Sequence, residues 1–244
     1  MSTSSTATSQ HTARFERPDV LRGFAIVLMM FFHGWYDLSV FRFVDMSMKD
    51  PLWFSLRAVI VGLFCLTAGA SLVWANGQHI HWPHWAKRQG QVALGALLVT
   101  AFSLFAYPDS WVYFGILHFF VVALTVSLPL LKHPRAALFL GLLLIVAERL
   151  NAPFTDPWVY DILQPLLNLP SGTLDRMYLL PWLGVVWLGI WLGHQPWLKG
   201  TVPVFYGKQT LLWLGRRPLL VYLVHQPVLF GLAWLVYIVS RVTF

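Results

Sequence analysis

The sequence predicts an all-α protein, a polytopic transmembrane helix bundle of about seven spans with its N-terminus cytoplasmic. Three observations carry that reading. The 244 residues are 57% hydrophobic and only 11% charged, with mean hydropathy +0.63, where a soluble domain carries about 25% charged residues. Apolar residues come in runs of membrane-crossing length, about 20 residues each. The cations fall in short caps between those runs, more of them on one side than on the other.

Taken in order, residues 1–18 are polar and rich in Ser and Thr and read as a disordered tail, leaving 19–244 as the membrane domain. The first apolar run begins after Val20, is longer than a signal-peptide core and meets no small-residue cleavage pattern, so it stays as a span. Spans are expected near 20–41, 53–75, 89–107, 111–131, 135–150, 178–194 and 217–239. The fifth is short, bounded by Pro134 and by the stretch from Pro153 to Pro157. Between spans five and six, residues 151–177 form a longer loop holding Asp156, Asp161, Asp175 and Arg176, whose WVYDILQPLL core lies at the interface or re-enters the membrane. With the N-terminus inside, eleven of the 17 Lys and Arg face the cytoplasm, among them Arg14, Lys87, Arg88, Lys132 and Lys208, against six outside. Trp53, Trp74, Trp111, Trp182 and Trp197 near span ends match an aromatic belt.

Composition also excludes. A net charge of +7 with its cations in inter-span caps gives no basic patch on a soluble domain, so nucleic acid is not a partner. Cys65, the single cysteine, sits in an apolar run; it excludes an intrachain disulfide and a multi-cysteine metal site and reads as a buried, inert thiol. His79, His81 and His84 lie in a loop without carboxylate or Cys partners, a poor metal site, and no metal is expected. No internal repeat is visible, which weighs against an inverted-repeat transporter.

The polar residues inside the spans are the functional signal. In LRGFAIVLMMFFHGWYDL, Arg22, Ile26, Met29, His33 and Asp37 recur every three or four residues and share one helix face. An ionisable group within a span costs at least ~2.5 kcal/mol on insertion scales and so faces protein or a wet cavity. His33 stands eleven residues beyond Arg22, roughly 16–17 Å along the axis. Asp37, one turn on, reaches the imidazole and orients it, which makes His33 a candidate general base; the competing account is a buried histidine that merely satisfies a neighbour. Asp19, Arg17 and Arg22 mark the cytoplasmic end, where snorkelling cations beside a helix-start carboxylate are the simpler explanation for Arg17, whereas the Arg22 fork suits a phosphate or carboxylate. Gly23 lets a helix or a ligand approach closely.

Arg57, inside the outer end of the second span, is an interfacial cation, a partner of Asp37 or an oxyanion stabiliser. His118, near the outer end of the fourth, is a packed histidine or a site residue. His225 and Gln226 lie nine residues inside Arg216 and Arg217 and are expected in the cytoplasmic third, where Pro227 frees a backbone carbonyl and opens an irregular, wet stretch. On the residues alone three readings remain: an enzyme, a transporter or proton-coupled channel using the His33 and Asp37 track, and a non-catalytic scaffold.

RPDVLRGFAIVLMMFFHGWYDL, GLFCLTAGASL, FGILHFF, LLPWLGVVWLGIWLG and LGRRPLLVYLVHQPVL, in that order, resemble the bacterial proteins grouped with the catalytic domain of heparan-alpha-glucosaminide N-acetyltransferase. The first segment resembles, more distantly, the opening helix of membrane O-acetyltransferases of bacterial polysaccharides. The match runs from Arg17 to Phe230. It implies transfer of an acetyl or acyl group from cytoplasmic acyl-CoA, the co-substrate, to a hydroxyl or amine of a sugar or glycolipid on the far side, in the bacterial inner membrane. It points to Arg22 and His33 as the arginine and the membrane-embedded histidine; the lysosomal enzyme's opening helix lacks that histidine, so its mechanism is not carried over. On this reading His33, Asp37, Arg57 and His118 are catalytic, and Arg17, Asp19, Arg22, Arg216, Arg217, His225 and Gln226 hold the donor. The partners are then acyl-CoA, the acceptor and the lipid bilayer, with room for a homo-oligomer.

Overall fold

The structure, a computed structural model, describes residues 15–77, 79–150 and 157–242. Expectations for residues 1–14 and for the start of the 151–177 loop lie outside the described residues. Among those described there are nine α-helices: α1 (Glu16–Val40), α2 (Pro51–Asn76), α3 (Trp82–Ala106), α4 (Ile116–Val126), α5 (Pro134–Arg149), α6 (Pro157–Leu167), α7 (Trp182–Gly193), α8 (Lys208–Arg216) and α9 (Pro218–Val242). Helices α1, α2, α3 and α9 are each long and apolar enough to cross a membrane, while α4 and α7 are shorter apolar helices. The protein is an integral membrane helix bundle.

Local chemistry sets the ends. Asp50 caps α2 by accepting the Leu52 N–H at 2.9 Å, with Pro51 in the first turn where its missing N–H costs nothing. Helix α1 starts at Glu16 rather than at 20, and α3 at Trp82 rather than at 89, because polar first turns extend both helices beyond their apolar runs. The expected fourth span is cut down: residues 111–115 are non-helical, α4 ends at Val126, and a 3₁₀ turn at Leu128–Leu130 containing Pro129 follows. The last span runs through Pro227 without a break, and a separate helix, α8, precedes it. The WVYDILQPLL segment holds α6.

The helices pack backbone to backbone where glycine permits. A Cβ on Gly23 would collide with the Leu211 carbonyl, and one on Gly215 with the Asp19 carbonyl, so α8 lies antiparallel against the start of α1. The neighbour that Gly23 admits is therefore a helix. Gly69 and Gly189 bring α2 and α7 together in the same way. Beyond α8 the chain turns, and α9 runs parallel to α1: His33 meets His225, Asp37 meets Gln226, and Phe41 meets Phe230 and Tyr237.

The shared face of α1 points inward. Arg22, Ile26, Met29 and Asp37 are 7%, 0%, 4% and 1% exposed, against 46%, 42% and 51% for Phe24, Val27 and Phe31 on the other side. Ile26, Met29 and Phe32 pack with Trp53 and Ile60 of α2, backed by Leu214, Val221 and Tyr222. Trp53 is thus a core residue stacked on Trp35 and not part of a lipid-facing belt. Cys65 is fully buried in the core shared by α2, α4 and α7.

Candidate functional site

At the starting end of α1 the charges are paired. Arg22 Nη1 donates to Asp19 Oδ1 at 3.2 Å and to the Gly215 carbonyl at 2.9 Å, and Nη2 donates to the Thr67 carbonyl at 3.3 Å and to Ser71 Oγ at 2.6 Å. One guanidinium ties α1, α2 and α8 together. Asp19 Oδ2 also accepts from Arg216 Nε at 3.4 Å. Arg17 donates to the carbonyls of Trp197 and Thr201, and Arg217 lies over the Trp213 ring with its guanidinium 5.0 Å from the ring centre. Glu16 pairs with Lys208 at 2.8 Å and accepts the Val202 N–H. Arg17, Arg216 and Arg217 remain exposed to the surroundings, whereas Arg22 is buried.

Further along α1 lies a second polar group with a different character. His33 packs edge-on against His225, ring centres 5.0 Å apart, and against Phe32, and among the described residues its ring makes no hydrogen bond. Asp37 does not hold the His33 ring, as its i+4 spacing suggested. Its Oδ1 instead accepts from Gln226 Nε2 at 2.8 Å, and Oδ2 has no hydrogen-bond partner among the described residues. The interhelical amide outcompetes the neighbour one turn away because α9 presses directly on this face. His225 Nδ1 lies 2.6 Å from the Tyr222 carbonyl, and its Nε2 is buried without a hydrogen-bond partner among the described residues, as is Gln226 Oε1.

His225 and Gln226 therefore join His33 and Asp37 and do not sit with the cations near which they were expected. Helices α1 and α9 run parallel from a common end, so residues nine beyond Arg216 and eleven beyond Arg22 fall at nearly one depth. Arg57 is also placed differently from the expectation of an Asp37 partner. Its Nη2 donates to the Arg176 carbonyl at 3.0 Å and lies 4.0 Å from Asp175 Oδ1.

His118 is used by its own helix. Its Nδ1 accepts the Gly115 N–H at 3.3 Å, and its Nε2 faces Thr100 Oγ1 at 3.1 Å, which in turn donates to the Val112 carbonyl. Those partners assign the hydrogen to Nε2. Asp175 caps the same helix end by accepting the Ile116 N–H at 3.0 Å. Desolvation there raises the Asp175 carboxyl above its ordinary range, opposed by the Ile116 N–H and by the Arg57 guanidinium.

Sequence reading missed Asp175, Tyr222, Lys208 and the α2 groups that receive Arg22. Ser71 did carry a signal, a hydroxyl on an apolar helix, whereas Thr67 receives the guanidinium through its backbone carbonyl, which any residue would offer. Asp175 carried none, since the helix end it caps lies 59 residues away in sequence.

These features define a class: a helical membrane protein with a charge-locked end and, deeper along the same helix, a buried polar patch that is only partly satisfied. A family model described as heparan-alpha-glucosaminide N-acetyltransferase, catalytic, matches residues 14–227, and the chain belongs to that family. Membership makes it a membrane acetyltransferase in general type. No curated protein and no solved structure matches the chain.

Proposed function

We propose that the protein transfers an acetyl or other acyl group from cytoplasmic acyl-CoA to a hydroxyl or amine of a sugar or glycolipid on the extracytoplasmic side of a bacterial inner membrane. The observation that carries this is His33: a histidine inside a membrane helix, free of hydrogen bonds among the described residues, against a partly unsatisfied patch. Structural histidines are held at their nitrogens, as His118 is. His33 is the base: its bare nitrogen takes the proton of the acceptor hydroxyl or amine as that group attacks the thioester carbonyl. The C–S bond then breaks, and CoA leaves as the thiol carrying that proton. An acyl-His33 intermediate would use the same atom.

The donor's phosphates meet the exposed guanidiniums of Arg17, Arg216 and Arg217 at the cytoplasmic end, and Asp19 with buried Arg22 holds that end in shape. A separation of roughly 16–17 Å from Arg22 to His33 suits an extended arm ending in a thioester. Arg57, Asp175 and His118 brace the outer end. Seven crossings with the N-terminus inside agree with α1 and α9 running parallel and with the eleven-to-six distribution of cations. The test is purified protein with acetyl-CoA and candidate sugars, following binding and free thiol. Thiol release that depends on an acceptor supports the reading. A folded sample that binds no acetyl-CoA at micromolar concentration overturns it.

A further inference from the structure

At the end of the molecule where α1 starts, a cleft wraps the last turn of α2. Its inner part, about 40 Å³, has an apolar floor of Leu72, Ala75 and Leu124 under a rim of His81, His84 and Arg88. Its outer part, about 210 Å³, sets Leu128 and Leu131 beside His79, Lys132 and His133. Asn76 lines both, so the two parts join. Each exceeds the roughly 10–15 Å³ that a single water needs.

The charge of the cleft is one-sided. Among the described residues no carboxylate lines either part, and between residues 51 and 147 the sequence holds one acid, Asp109, beyond the far end of α3. At the start of α1, by contrast, Arg22 and Arg216 meet Asp19, and Lys208 meets Glu16. The start of α3, whose N-cap His81 makes no side-chain capping bond, adds the positive end of its dipole. Under the rim, Trp85 and Gln89 stand one turn apart on one face of α3, roughly 6 Å along the axis. Trp85 Nε1, which can only donate, is buried without a hydrogen-bond partner among the described residues. Gln89 gives its amide nitrogen to Thr125 Oγ1 at 3.2 Å, which leaves Oε1 in the same condition. Such atoms call for an explanation.

An anion with an apolar continuation fits this cleft, since cations and a ring N–H await the one and Leu72, Ala75 and Leu124 the other. The cleft lies at a span end, where Trp82 is 57% exposed, and α3 runs on from it with Leu94, Leu97 and Leu98 exposed as lipid-facing residues are. We propose that it binds the phosphodiester head of an anionic phospholipid of the adjoining leaflet, with the phosphate against His81, His84, Arg88 and Lys132 and the hydroxyls of the head toward Gln89. Anionic lipid surfaces attract basic groups at this depth. The site is separate from the donor's cations: Arg17, Arg216 and Arg217 belong to α1 and to the join of α8 and α9, and none of them lines the cleft.

The test takes the purified full chain in dodecyl maltoside and adds dioleoylphosphatidylglycerol, zwitterionic dioleoylphosphatidylcholine, inorganic phosphate or acetyl-CoA. Native mass spectrometry follows retained lipid, beside the melting temperature. Phosphatidylglycerol is expected to stay bound and to raise the melting temperature with its concentration, and phosphatidylcholine to do neither. Lys132→Gln and Trp85→Phe should each weaken phosphatidylglycerol binding about tenfold, the worth of one hydrogen bond to a charged group. Lys132 is exposed, so its variant keeps the test alive if Trp85→Phe does not fold. Lys199→Gln removes the same charge at the same end, one residue from the Gly200 carbonyl that accepts the Glu16 N–H, but outside the cleft, and should leave binding unchanged. Equal retention of the two lipids, or an equal loss in Lys199→Gln, overturns the site. So does a stabilisation by inorganic phosphate that matches the lipid's, or displacement of the lipid by acetyl-CoA.

Discussion

The two polar regions of α1 are built from similar residues and end in opposite states. Around Arg22, both terminal guanidinium nitrogens have acceptors from three helices, and Asp19 serves two arginines. Around His33, eleven residues on, Asp37, Gln226 and His225 each keep a buried atom without a hydrogen-bond partner among the described residues. A satisfied buried network locks helices together, and a half-satisfied one is costly unless something else completes it. The lesson is that an ionisable residue in a membrane helix is not a site merely because it is ionisable. The state of its partners separates a clamp from a binding surface.

The comparison breaks most visibly at the clamp. Gly215→Val puts a branched side chain into the Asp19 carbonyl, and because backbone cannot yield as a side-chain tip can, the loss of stability is expected to exceed the usual ~1–3 kcal/mol of overpacking. Loss of a monodisperse peak after detergent extraction is the readout. Arg22→Ala follows at about 3–5 kcal/mol, the range for removing one partner of a buried ion pair. A wild-type melting temperature for Arg22→Ala would mean the clamp is not one.

At the patch the signs reverse. His33→Ala is expected to lower thiol release by about 10²–10⁴-fold, the usual worth of a general base, with no drop in melting temperature, since the ring makes no hydrogen bond among the described residues to lose. Asp175→Asn is gentler and shows in pH. Its carboxyl is raised in the folded state above 3.8, so the native protein keeps its proton longer than the unfolded chain. Stability is highest below that value and declines as pH rises through the folded pKa. Asp175→Asn should flatten that decline in melting temperature against pH. Smallest of all is Lys208→Ala: its partner Glu16 keeps the Val202 N–H when the ammonium is gone, so the melting temperature should move only slightly, and less in high salt.

Much of this architecture was legible because helical periodicity is a local property. The inward face of α1 follows from the spacing of Arg22, Ile26, Met29, His33 and Asp37, and the burial of Arg22, Ile26, Met29 and Asp37 bears it out, with His33 half-buried on the same face. What the sequence did not convey is which neighbour completes each group. The i+4 rule offered Asp37 to His33, yet Gln226 from another helix claimed it, and no spacing within one helix foretells an interhelical bond. The truncation of α4 was hidden for the same reason: Asp175, which caps it, arrives from a distant loop. His225 was a readable error. Its distance from Arg216 nearly equals that of His33 from Arg22, and taking α1 and α9 as parallel would have put both histidines at one depth.

The central claim is that the clamp holds and the unsatisfied patch works. Its most direct measurement is acceptor-dependent thiol release from acetyl-CoA by purified His33→Ala, run beside its melting curve and its acetyl-CoA affinity. The account predicts near-complete loss of turnover with both the melting temperature and donor binding at wild-type values. Turnover that survives in the folded variant would contradict it.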